Sequence, residues 1–159
     1  MAAIIVLTDA QHQLTPADVD VVEELLRDST SWAYVDPLST AILAPLVERR
    51  PELARRLDAW ARDENFWIRR SAMLALLPAL RRGEGDFDRF ATYADEMLEE
   101  EEFFIRKAIG WILRETAKKR PELVFEWLLP RASRASGVTI REAVKYLPGR
   151  QRAEIQAAR

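Results

Sequence analysis

The chain has no cysteine and one histidine, His12, in 159 residues. No cysteine means no disulfide and no thiolate metal ligand, and a lone imidazole argues against a histidine-based metal site or catalytic triad. No apolar run reaches membrane-spanning length, and residues 1–7 lack the basic segment that opens a signal peptide. Glycine is scarce, at five residues, and alternating Val/Thr patterns are few. These absences suit a reducing cytoplasm and lead us to expect no metal and no membrane partner; a monomer without a cofactor is expected as well.

What is abundant is Ala, Leu, Glu and Arg, the residues that favour helix over sheet. The length suits one domain spanning 1–159, large enough to bury a core. Within that chain the segment Phe66-Trp67-Ile68-Arg69-Arg70 recurs as Phe103-Phe104-Ile105-Arg106-Lys107, each copy opening a long apolar run. A weaker copy is Val138-Thr139-Ile140-Arg141-Glu142-Ala143-Val144. The most diverged is Ala33-Tyr34-Val35-Asp36, where the cation has become a carboxylate.

Pro16, Pro51 and Pro121 supply a second register, with Asp86 filling the gap between the last two after the turn Gly83-Glu84-Gly85. Proline is tolerated in a helix's first turn because its missing N–H would have no partner there, so each mark reads as a helix start. A unit of helix A, turn and helix B, repeated at about 35 residues, predicts an all-α fold. The expectation is a right-handed αα solenoid of HEAT-like repeats, about four helix pairs, each burying its apolar face only by stacking on a neighbour. Residues 1–13 read either as a short helix tucked against the first repeat or as a remnant of an upstream repeat, the latter favoured because the apolar start resembles the end of a helix. Residues 148–159 read as a basic, frayed tail.

The net charge of −2 conceals an asymmetry. Residues 1–102 carry 11 Lys and Arg against 21 Asp and Glu, whereas residues 103–159 carry 13 against 5. A basic third on an acidic chain fits a polyanion-binding face, although solvated helix ends give the same count.

In the helix opening at Phe103, residues Ile105, Ala108, Ile109, Ile112 and Leu113 form a core face. Lys107, Trp111, Arg114 and Lys118 form another stripe, one tryptophan among three cations at helical spacing, which reads as a binding surface or, alternatively, as a Trp wedged between adjacent B helices with solvated cations. The preceding repeat reads Arg70, Leu74, Leu77 and Arg81 at those positions. Earlier still, Trp32 and Asp36 share a face if helical, the rival being Ser31 or Asp36 as an N-cap with Pro37 at the first helical position. Trp60, Trp67 and Trp127 read as packing residues. Residues 99–102, four consecutive glutamates, read as a solvated connection, and Lys118-Lys119-Arg120 as cations opposing a helix dipole.

Ser31-Trp32-Ala33-Tyr34-Val35-Asp36, Glu64-Asn65-Phe66-Trp67-Ile68-Arg69-Arg70 and the run from Glu102 to Glu115 together resemble the AlkD-type DNA alkylation repair enzymes, HEAT-like DNA glycosylases. The resemblance runs from about Leu14 to Leu147. It implies double-stranded DNA containing alkylated bases as partner, with excision of cationic N3- or N7-alkylated purines, no metal, and no flipping of the base into a pocket. It also implies Trp32 and Trp111 as aromatic walls, Asp36 as the catalytic carboxylate and Arg70 as a phosphate contact, with Lys107, Arg114 and Lys118 along the DNA. Members of that family carry further upstream repeats that have no counterpart here. The alternative function is a non-catalytic HEAT-like module binding nucleic acid or protein, in which Asp36 only caps a helix.

Overall fold

In the computed structural model every regular element is a helix, and no strand occurs among the described residues. The structure describes residues 2–159, with side chains from Val6 onward, so most of the apolar start lies outside the described side chains. The chain divides into two compact units, residues 1–78 and 79–159.

The first unit holds α1 (Ala2–Asp9), α2 (Val19–Arg27), α3 (Trp32–Pro37), α4 (Ala44–Arg49), α5 (Ala54–Trp60) and α6 (Phe66–Leu74). Pro16 and Pro51 each open a short 3-10 turn that leads into α2 and α5, so the proline register does mark helix starts. Between α3 and α4 the chain stays helical but widens to a π-helix over Leu38–Leu43. The core here is Val22, Leu26, Val35, Ile42, Leu46, Leu57, Ile68 and Met73, all essentially inaccessible to solvent. Pro78 ends the run: without an N–H and with its ring against the preceding turn, it cannot extend α6. The stripe expected from Arg70 to Arg81 is therefore broken at Leu74, and Leu74 and Leu77 are both buried.

The second unit contains α8 (Phe87–Glu96), α9 (Phe103–Ala117), α10 (Pro121–Leu128), α11 (Gly137–Ala143) and α12 (Gly149–Ala157), entered through α7 (Leu77–Arg82). Asp86 caps α8 by accepting from the Arg89 N–H at 2.9 Å, and Pro121 opens α10. Gly83 and Gly85, both at positive φ (86° and 75°), make the tight reversal between α7 and α8. The expected core face of α9, Ile105, Ala108, Ile109, Ile112 and Leu113, is fully buried. At the C-terminus, where fraying is expected, α12 forms instead and its Ile155 is completely buried, which anchors the last helix.

Polar cross-links record the repeat directly. Arg27–Asp63, Arg49–Gln11, Arg70–Asp36 and Ser39–Ser71 join residues 32 to 38 apart in the first unit. Arg131–Asp95, Arg134–Glu99, Thr139–Arg106 and Lys107–Glu142 do the same at 33 to 36 in the second. Separations of about one repeat mean that, within each unit, one helix pair is tied to the next in sequence, as in stacked repeats.

Candidate functional site

Each B helix begins with a side-chain cap. Ser31 accepts from the Ala33 N–H, Asn65 from Trp67, Glu102 from Phe104 and Ser136 from Thr139, at 2.8 to 3.3 Å. The cap at Ser31 settles the local question at Asp36. Helix α3 starts at Trp32, so Asp36 lies inside it and one turn beyond Trp32, while Pro37 continues the helix at φ −67°. The reading of Asp36 as a cap with Pro37 at a first helical position is thus corrected: the helix has already begun.

Proline's missing N–H and the π-helix after it disturb the backbone ladder, and two hydroxyls bond back to carbonyls one turn earlier. Ser39 Oγ donates to the Val35 carbonyl (2.6 Å) and Thr40 Oγ1 to the Asp36 carbonyl (2.8 Å). π-helical insertions are rare and often found at functional sites. This one directly follows Asp36.

Asp36 and Arg70 form a two-pronged ion pair. Arg70 Nε donates to Oδ1 and Nη2 to Oδ2, both at 2.9 Å. The arginine side chain is 3% exposed and the carboxylate 14%. The fork fixes the carboxylate's plane and supplies its counter-charge. Trp32, on the same helix, is the reverse: 54% of its surface is exposed, and Tyr34 beside it is exposed too. A phosphate contact from Arg70 would have to share or open the fork with Asp36.

In the second unit the expected cation stripe is organised by two carboxylates. Glu142, on α11 and 7% exposed, accepts from Lys107 (2.7 Å), Lys145 (2.9 Å) and Arg114. Glu115, also buried, pairs with Lys118 (2.8 Å), Arg81 (3.0 Å) and Arg114 (3.3 Å). Burial works against the charge on Glu142, but Lys107 and Lys145, with Arg114, outweigh it and hold the carboxyl at about 2. Glu115 is lowered by the same balance, burial opposed by Lys118, Arg81 and Arg114. Five cations around two carboxylates leave a surplus of positive charge. Trp111, on α9 among these groups, is half-buried.

Sequence reasoning missed Glu115 and Glu142. The signal for Glu142 was available, because it occupies the fourth repeat's copy of the position held by Asp36, Arg70 and Lys107. The position is a charged one whose neighbours pair across repeats: Asp36 with Arg70, and Lys107 with Glu142. The other tryptophans pack as expected, with Trp60, Trp67 and Trp127 all buried. The four glutamates form the connection before α9, where Glu102 caps the helix and Glu99 pairs with Arg134 at 2.7 Å. Among the described residues, no group of three or more His, Cys, Asp or Glu is placed to hold a metal ion. No helix among them is long and apolar enough to cross a membrane.

The chain is thus a helical repeat protein with a carboxylate–arginine fork in one unit and a cation cluster in the other. Residues 1–147 match the family model described as DNA alkylation repair enzyme, and the chain belongs to that family. Among solved structures it is similar to a predicted DNA alkylation repair enzyme from Enterococcus faecalis, with 26% identity and a TM-score of 0.81. That match covers 92% of this chain and 67% of the other. Comparison with curated proteins finds no match.

Proposed function

We propose that this protein is a DNA glycosylase that excises cationic N3- or N7-alkylated purines from double-stranded DNA, hydrolysing the N-glycosidic bond without a metal. The observation that carries the reading is the fork itself. A carboxylate with an exposed tryptophan one turn away is held in one orientation by a buried arginine.

The residue types suit the chemistry. A purine alkylated at N3 or N7 is already cationic and leaves with the electron pair of the C1′–N bond, so neither a strong general acid nor a Lewis acid is needed at the base. Positive charge develops instead on the deoxyribose. Asp36 stabilises that charge and orients the water whose oxygen bonds to C1′ and whose proton passes to solvent, and the products are a free base and an abasic site. Trp32 and Trp111 offer aromatic faces, which attract cationic groups by about 0.5 to 2 kcal/mol. In this reading Arg70 positions Asp36, and Lys107, Arg114 and Lys118 meet phosphates. The site is proposed to work in the cytoplasm on a monomer.

The second reading, a non-catalytic nucleic-acid- or protein-binding module, draws on the same fork: an ion pair that ties one repeat to the next is also what a purely architectural Asp36 would make. Incubating the protein with methylated duplex DNA and quantifying free 7-methylguanine separates the two. Release above the spontaneous rate supports the glycosylase. Binding of the duplex with no release supports the module.

A further inference from the structure

One exposed aromatic belongs to none of the roles above. Tyr146, which ends the 3-10 turn Val144–Tyr146 after α11, has 54% of its surface exposed. It is not isolated. Lys118 Nζ lies 4.8 Å from the centre of its ring, and the same ammonium donates to Glu115 at 2.8 Å. Contacts continue from Glu115 to Arg114, from Arg114 to Glu142, and from Glu142 to Lys107 and Lys145. Tyr146 thus closes one end of the cation cluster, and Lys145 is its neighbour in sequence.

We propose that Tyr146, Lys118 and Lys145 form an additional contact for duplex DNA, the tyrosine ring packing on a deoxyribose while the two ammonium groups hold the adjoining phosphate. This rests on the DNA-binding reading above. Each ammonium has three donors, and the carboxylates and the ring occupy only part of that capacity, so a phosphate can be added without breaking the cluster. Glu115 and Glu142 keep the lysine tips from wandering, which lowers the ordering cost of binding. The ring adds contact area with no charge, and the partner is identified by complementarity: an exposed ring with one ammonium 4.8 Å from its centre, beside a cluster of further cations, fits a sugar next to phosphates.

The test is the affinity of the intact protein for a duplex carrying a tetrahydrofuran abasic-site analogue, measured across a salt series. Tyr146→Ala should weaken binding about fivefold or more with the salt slope unchanged, because area is lost and charge is not. Tyr146→Phe should bind like the wild type. Lys118→Gln and Lys145→Gln should each lower the slope by about one. If the alanine variant is unstable, Tyr146→Leu, which keeps bulk without an aromatic face, answers in its place. Equal affinity of the wild type and Tyr146→Ala, or Tyr146→Leu where it stands in, overturns the proposal while leaving DNA binding intact. Failure of the wild type to bind any duplex overturns the DNA reading together with it.

Discussion

Arg70 holds both carboxylate oxygens of Asp36 through parallel 2.9 Å hydrogen bonds, linking the B helices of two successive repeats across a separation of 34 residues. Such a fork is stiff, and a stiff carboxylate is what stabilisation of a developing sugar cation requires.

Removing the guanidinium should therefore act on stability and on chemistry separately. Arg70→Ala strands a mostly buried carboxylate and is expected to cost about 3–5 kcal/mol, seen as a lower denaturation midpoint. Arg70→Lys keeps the charge but cannot reproduce the fork. It should stay folded, lower the turnover rate, and leave the salt slope of DNA binding unchanged. A slope that falls by about one would instead give Arg70 a direct phosphate contact.

Trp32 is mostly solvent-exposed, so its truncation removes little packing. Trp32→Ala should change stability by no more than about 0.5 kcal/mol. The rate of base release should fall roughly 2- to 30-fold, the worth of one aromatic face toward a cation. Equal losses of stability and rate would mark Trp32 as structural.

Gly110 marks a close approach of α9 and α11. A Cβ there would lie 2.7 Å from Glu142 Cβ and 2.9 Å from the Thr139 carbonyl oxygen, which is backbone and cannot swing away. Gly110→Ala should destabilise by about 1–3 kcal/mol and disturb the Lys107–Glu142 pair, measurable by thermal melting.

Glu142 makes an acid-range signature. Its carboxyl is lowered from the ordinary 4.5 to about 2 in the folded protein. A depressed folded value means that the stabilisation is fully present above pH 4.5 and is lost as pH falls toward 2. The stability difference between wild type and Glu142→Gln should be constant above that window and shrink within it. A difference that does not change with pH would mean that the charge on Glu142 contributes nothing.

Much of the fold was legible because its signals are local. Proline at a helix start, Ser31 as a cap and the apolar spacing on α9 each act within a turn or two, and all of them hold. The break at Pro78 is a local proline effect that the stripe from Arg70 to Arg81 ignored, whereas the π-helix after Pro37 and the anchoring of α12 by Ile155 depend on what the chain packs against, which a propensity does not carry. The site divides in the same way. Asp36 and Arg70 could be named as single residues from motif and repeat. Their pairing, and the roles of Glu115 and Glu142, depend on which helices lie side by side. The repeat already contained part of that answer, since aligned positions of opposite charge in neighbouring units are natural partners.

The most direct test of the central claim is single-turnover release of 7-methylguanine from methylated duplex DNA by the wild type and by Asp36→Asn. The account predicts a fall of roughly a hundredfold or more for the variant, with DNA affinity retained, because the amide keeps the shape but not the charge. Equal rates for the two proteins would contradict it and remove Asp36 from the chemistry.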